Sequence, residues 1–248
     1  MSGHLSRART ALAALVCVAV TGAPATTRAA ATEAQIVRAG PRDCAQLALT
    51  FDLCPAKRSP GFDAGLVALL IEKHVPATFF ASGRWVRKHD AELRSLAAVQ
   101  AFEIGTHGAN HAHLAGLAAS AQRMEIGGAV DLLHEHYGIV PTLFRPPYGE
   151  YDATTLAVAG ALGQRVVLWD VVSDDPDPHI SLARMWQGLE QRTRAGSIVI
   201  FHANGNGHHT QEAVERMIDE LAPARHLTFV TVSKLIEGCA APAGAGSP

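Results

Sequence analysis

The best candidate for a membrane span, Ala11 to Ala23, falls short of the roughly 20 apolar residues that a transmembrane helix needs, so no stable membrane anchor is expected. An excess of one charge is missing too. The 21 Lys and Arg stand against 23 Asp and Glu, a formal net charge of -2, and nothing electrostatic favours nucleic acid as a partner. Linkers and internal repeats are absent, which leaves a single domain with a full core as the expected organisation. Cysteine is scarce at 4 residues, and aromatic residues make up 6% of the chain, so few rings are on hand to stack on a ligand.

What the sequence does have begins with an export signal. Residues 1–31 carry Arg7 and Arg9 ahead of the apolar run, and small-residue cleavage sites at Ala23 to Ala25 and Ala29 to Ala31. Removing them discards three arginines and no acid, which takes the net charge from -2 to -5. The expected location is therefore outside the cytoplasm, periplasmic or secreted. Cys44, Cys54 and Cys239 remain, and two of them can pair in an oxidising compartment. The expected pair is Cys44 with Cys239, which flank the first strand and the last helix and would meet in a closed barrel. Residues 239–248 read as a loose tail.

Between these ends, residues 40–238 alternate short apolar runs with helical patterns. Strands are expected at Gln46 to Phe51, Ala77 to Phe80, Ala101 to Ile104, Thr142 to Phe144, Arg165 to Trp169, Ser197 to Phe201 and Leu227 to Val230. Helices include Asp63 to His74, Ala91 to Val99, Ala118 to Tyr137, Ala153 to Leu162, Leu182 to Thr193 and Thr210 to Leu221. Such alternation predicts parallel βα units in a barrel or doubly wound sheet, where ligands sit at the carboxyl ends of the strands. Chemistry-bearing residues follow those ends in turn: Asp52; His107 and His111; Arg145 to Tyr148; Asp170, Asp174 and Asp175; and His202. His107 and His111 are four apart, a spacing at which two imidazoles can reach one ion on a helical turn.

The segments Thr50-Phe-Asp52, His107-Gly-Ala-Asn-His111, Arg145-Pro-Pro-Tyr-Gly149, Trp169-Asp170 through Asp175, and Phe201-His202 resemble the five ordered motifs of the polysaccharide deacetylases, carbohydrate esterase family four. Pro76-Ala-Thr-Phe-Phe80 fits as well, and the resemblance runs over about residues 44–236. It implies an α/β fold, a distorted (β/α) barrel of about seven parallel strands, and removal of acetyl groups from N-acetylated sugars. It further implies a divalent metal, zinc with cobalt or nickel as alternatives, held by His107 and His111. Asp52 would be the base, Arg145 its partner, His202 the acid oriented by Asp175, and the Tyr148 backbone N–H an oxyanion donor, with Pro147 and Phe201 beside them.

Departures accompany the matches. Leu53 stands where the family carries a second, metal-binding aspartate. Three substitutes are open: Asp52 itself, the Cys54 thiolate on the same pleat face, or solvent alone, with His208 or His209 as further donors. An aspartate at position 53 is expected to restore a ligand. Gly108 replaces a Ser or Thr, and Pro176 a Trp. Asn204 and Asn206, in a glycine-rich loop after His202, are candidates for sugar hydroxyls, and one of Trp85, Tyr151 and Trp169 is expected in the cleft. The expected activity is deacetylation of peptidoglycan or chitin-like glycans by a monomer. A carbohydrate-binding protein without turnover and an amidase for a non-sugar amide remain as alternatives.

Overall fold

The computed structural model describes residues 33–56 and 61–239; the expected signal segment and residues 240–248 lie outside them. Among the described residues, nine strands form one sheet. They are β1 (Ile36–Val37), β2 (Gln46–Leu53), β3 (Ala77–Ala81), β4 (Phe102–Thr106), β5 (Leu143–Phe144), β6 (Arg165–Val167), β7 (Val171–Val172), β8 (Ser197–His202) and β9 (Thr228–Phe229). Their order is β1-β6-β5-β4-β3-β2-β8-β7, all pairs parallel, with β9 against the start of β2.

That order closes the sheet on itself. β6 and β7 lie towards opposite ends of the sheet, yet only Leu168 to Asp170 separates them in sequence. Three residues reach about 10 Å, so the sheet must curl until its ends approach. The chain after β1 bridges the same seam, where Ala39 pairs antiparallel with Ser197 of β8. The strand expected over Arg165 to Trp169 therefore stops at Val167, and a second strand that was not expected, β7, follows at Val171. Asp170 makes the break by accepting from the backbone N–H of Ile198 at 2.8 Å and pairing with Arg42 at 2.7 Å.

Helices cover the outer face: α1 (Ala64–Glu72), α2 (Gly83–Val86), α3 (Asp90–Ala97), α4 (Ala119–Tyr137), α5 (Ala153–Ala161), α6 (Leu182–Arg192), α7 (Thr210–Arg216), α8 (Ala222–Ala224) and α9 (Val232–Glu237). Local chemistry sets several ends. Asp63 accepts from Leu66 N–H at 2.9 Å to start α1, and Asp152 with Thr155 forms a reciprocal capping box at α5. Gly138, at φ 67°, ends α4 in the left-handed turn that glycine adopts without a Cβ clash.

Because both faces of the sheet are covered, β2 is buried almost throughout, and its two faces differ in kind. Leu47, Leu49, Phe51 and Leu53 pack with Leu66, Val67 and Ala213 of the helical layer. Ala48 packs on the other side with Phe80, Leu143, Val167 and Ile198, inside the barrel. Thr50 and Asp52 share its face by the two-residue period. The Cys44–Cys239 disulfide, with a Cα–Cα distance of 5.5 Å, joins the chain before β2 to the chain after α9, and Cys54 is free.

Candidate active site

The residues at the strand ends meet in a cleft of about 460 Å³ at the carboxyl end of the barrel, lined among others by Asp52, Cys54, His107, His111, Tyr148 and His202. Asp52, the last inward-facing residue of β2, is buried and accepts from Arg145 Nη1 at 2.8 Å. Arg145 is completely buried. Its Nη2 and Nε donate to the carbonyls of Leu168 and Val167 at 3.2 and 3.4 Å, so one guanidinium serves both the carboxylate and the barrel seam. It lies over Phe80 and Trp169, at 4.1 and 5.4 Å from the ring centres. Burial pushes the Asp52 pKa up, but the charges of Arg145, His107 and His202 outweigh it and hold the carboxyl below its ordinary value.

His107 follows β4, and its Nδ1 lies 2.7 Å from the Arg145 carbonyl, which can only accept. Nδ1 therefore carries a proton, and Nε2 faces the cleft 3.5 Å from Asp52 Oδ2, where its lone pair is open to a ligand once that nitrogen is deprotonated. Burial lowers the His107 pKa, but the charges of Asp52 and Cys54 raise it above the ordinary value. His111 stands edge-on to His107 at 4.8 Å between ring centres. The pair does not come from a helix, as the four-residue spacing suggested. The loop turns through Gly108 at φ 73° and His111 at φ 61°.

Glu125 of α4 holds that loop. Its carboxylate accepts from the backbone N–H of Asn110 and Ala112 at 2.6 and 3.1 Å and from the Asn110 amide at 3.0 Å. A Cβ at Gly108 would stand 3.0 Å from the same carboxylate, so glycine at this position gives the acid its room. Sequence reasoning missed Glu125. The available signal was an acid on the apolar stripe of α4, in step with Gln122, Ile126, Ala129 and Leu133.

Across the cleft, His202 ends β8 and its Nδ1 pairs with Asp175 Oδ1 at 2.9 Å. Asp175 is fully buried and also accepts from the hydroxyls of Ser173 and Thr210 and from the His202 backbone N–H, at 2.9, 2.8 and 2.8 Å. Burial alone would lower the His202 pKa, but the hydrogen bond and charge of Asp175, with smaller contributions from Cys54 and Asp52, raise it well above the usual histidine value. A Cβ at Gly207 would collide first with the Thr210 hydroxyl and then with Asp175 Oδ2 at 2.8 Å, so this glycine makes room for the Thr210–Asp175 pair rather than for a ligand.

Cys54 sits between these groups. Its Sγ lies within 4.8 Å of donor atoms of His107 and His111 in one group, and of Asp52 and His202 in another. Burial raises its pKa, yet the charge of His107 and hydrogen bonds with His107, His111 and His202 bring it well below the ordinary thiol value. Three donors of mixed nitrogen and sulfur type, with His107 anchored through its other nitrogen, are a set that a zinc-like ion fits.

The other expected residues divide between the cleft and positions outside it. Phe201 is wholly buried against Phe51 at 5.9 Å, because it alternates with Ile200 and His202 and so faces the helices, not the cleft. Asp170 immediately precedes β7, is held by Arg42 and the Ile198 N–H, and does not line the cleft. Pro147 is buried beneath Tyr148, which is 54% exposed and stacks on His113 with ring centres 4.0 Å apart. Asn204 and Asn206 line the cleft, the Asn204 amide bonding the Cys54 carbonyl at 3.3 Å and its oxygen accepting from the Asn206 N–H at 3.2 Å. Trp169 lines the cleft, whereas Trp85 is buried with its N–H on the Gly61 carbonyl and Tyr151 bonds Arg38. His208 and His209 are exposed, and neither belongs to a metal-capable group among the described residues.

A profile of the polysaccharide deacetylase family matches residues 39–167. The chain belongs to that family. A peptidoglycan-N-acetylglucosamine deacetylase of Bacillus cereus is 28% identical over 197 residues, 77% of this chain and 87% of the relative. The crystal structure of a peptidoglycan N-acetylglucosamine deacetylase in complex with a naphthalenyl N-oxidanyl-benzamide is 25% identical, with a TM-score of 0.75 over 83% of this chain and 94% of that one. A family four pseudoenzyme from Bacillus anthracis shares the fold at 19% identity and a TM-score of 0.70, over 83% of this chain and 70% of that one. The chain spans about half or less of the first curated relatives that it matches. Family membership and fold agree: the parallel sheet curls into the distorted barrel that the motifs implied.

Proposed function

We propose that this protein is an exported, metal-dependent hydrolase that removes acetyl groups from N-acetylglucosamine-containing glycans. The reading is carried by one arrangement. The couple Asp52–Arg145 and the couple His202–Asp175 face each other across the cleft that holds His107 and His111. His107 and His111, with Asp52 or Cys54, are the residues that would hold a divalent ion. When bound, such an ion lowers the pKa of a coordinated water and polarises the amide carbonyl.

The chain's own groups supply the proton transfers. Asp52, kept ionised by Arg145, takes a proton from the attacking water as its oxygen bonds to the acetyl carbon. The Tyr148 backbone N–H is the proposed donor to the oxyanion. His202, its Nδ1 proton held by Asp175, gives its Nε2 proton to the sugar nitrogen as the carbon–nitrogen bond breaks, so that a neutral amine leaves. Trp169 and the exposed Tyr148 ring offer faces for a sugar. Export is supported by the N-terminal pattern and the Cys44–Cys239 bridge, and no helix among the described residues is long and apolar enough to cross a membrane.

The test is acetate release from N-acetylated chitooligosaccharides and from peptidoglycan, with zinc, cobalt or nickel added. Release on either glycan supports the reading. A second reading, a glycan-binding protein without turnover, is favoured by Leu53 at the position of the expected aspartate and by the fold shared with a pseudoenzyme. Chelator-insensitive glycan binding with no release under any metal would establish that alternative.

A further inference from the structure

Leu53 cannot be the site of the missing ligand, because it is completely buried among Leu66, Trp85 and other residues of the helical layer. The pleat that turns Leu53 outward turns Asp52 and Cys54 inward. Of these two, Asp52 has its Oδ1 on Arg145 at 2.8 Å and its Oδ2 3.5 Å from His107 Nε2, but among the described residues it joins no metal-capable group with both His107 and His111. Cys54, half-buried and one residue past the end of β2, has its sulfur within 4.8 Å of ligand nitrogens of both His107 and His111. Its backbone is tied on both sides. The Leu53 carbonyl accepts from Ser82 Oγ at 3.0 Å, and the Cys54 carbonyl accepts from Asn204 Nδ2 at 3.3 Å.

We propose that Cys54 is the third protein ligand of a Cys54–His107–His111 metal centre, and that Asp52 stays off the ion as an arginine-locked base. The proposal rests on the metal-dependent reading above and names the donor that the family's usual carboxylate would otherwise supply. On ligation the thiol proton passes to solvent and a sulfur–metal bond forms, with no change of oxidation state. A thiolate beside two imidazoles selects zinc or cobalt and disfavours magnesium and manganese, which prefer oxygen donors.

The experiment titrates the metal-stripped full chain with cobalt(II), following near-ultraviolet absorption, bound metal and acetate release together. The wild type should show thiolate-to-cobalt charge transfer that saturates at one equivalent. Cys54→Ser should lose the band and bind cobalt roughly a hundredfold more weakly, while Cys54→Asp should bind cobalt without the band, showing that the substituted fold still holds a metal. Iodoacetamide should alkylate Cys54, read by peptide mapping, in the stripped protein and spare it in the loaded one. Full cobalt affinity in Cys54→Ser, with no band in the wild type, would overturn the thiolate ligand while leaving the hydrolase reading intact if acetate is still released. Acetate release by stripped wild type, with an acetyl group trapped on Cys54, would overturn it in favour of a cysteine nucleophile served by His202 and Asp175. Failure of the wild type to bind any cobalt would overturn both readings.

Discussion

Leu53 and Cys54 are adjacent in sequence and belong to different layers of the molecule. Aligning the motif by residue count places the lost ligand at Leu53, whereas the pleat places a donor at Cys54. The expectation that Leu53→Asp restores a ligand is therefore revised. A carboxylate there enters the packed layer around Leu66 and Trp85, and the variant should lose about 3 kcal/mol or more of stability, read from the urea midpoint, with no gain in metal. Unchanged stability with tighter metal binding would show that the side chain had turned into the barrel. Asp175 supports a second prediction at this scale. It raises the His202 pKa well above the ordinary value, so the proton needed for the leaving amine persists above pH 6.5. Stability from this pair is fully present below the ordinary histidine pKa and is lost as pH rises through the raised one. In Asp175→Asn the alkaline limb of kcat should move towards lower pH and kcat should fall about 100-fold or more. An unmoved limb would assign that limb to another group.

The elements decide which residues could be found from sequence alone. Helices with a full apolar stripe, such as α4 and α6, were legible, and so were strands of five residues or more. β1 and β7 have two residues each, too few for alternation to register, whereas the equally short β5 and β9 lie within the expected apolar runs Thr142 to Phe144 and Leu227 to Val230. Missing β7 is what put Asp170 on the rim. The phase of β8 turns Phe201 to the helices, while its neighbour His202 lines the cleft. Asp52, His107, His111, Arg145 and His202 were legible because each lies at or just past the carboxyl end of a strand. Glu125 was not, since an acid in mid-helix carries no sign of the loop that it will hold. Its role gives a prediction for α4: Glu125→Ala leaves the N–H groups of Asn110 and Ala112 without their acceptor and should weaken metal binding about 10- to 100-fold, measured by competition with a chromogenic chelator, while the melting temperature falls only modestly. Unchanged affinity would show that the histidine loop holds its shape without α4.

At the scale of the whole molecule, the barrel is closed by unlike devices: the Arg145 guanidinium in the seam beside β6, the Ala39–Ser197 bridge, and the disulfide. The disulfide spans a sequence separation of 195 residues, so in Cys44→Ser the unfolded chain regains much freedom, and unfolding free energy should drop by about 2–5 kcal/mol. The cleft lies at the carboxyl end of the barrel, where the strand-end residues meet, so that variant should keep its turnover at temperatures where it is still folded. Turnover is expected to depend on an ion held in that cleft. The decisive measurement is acetate release from an N-acetylated chitooligosaccharide by protein stripped of metal and then titrated with zinc. Release should be absent in the stripped protein, rise in proportion to bound zinc up to one equivalent and disappear again with chelator; equal release with and without metal would contradict the account.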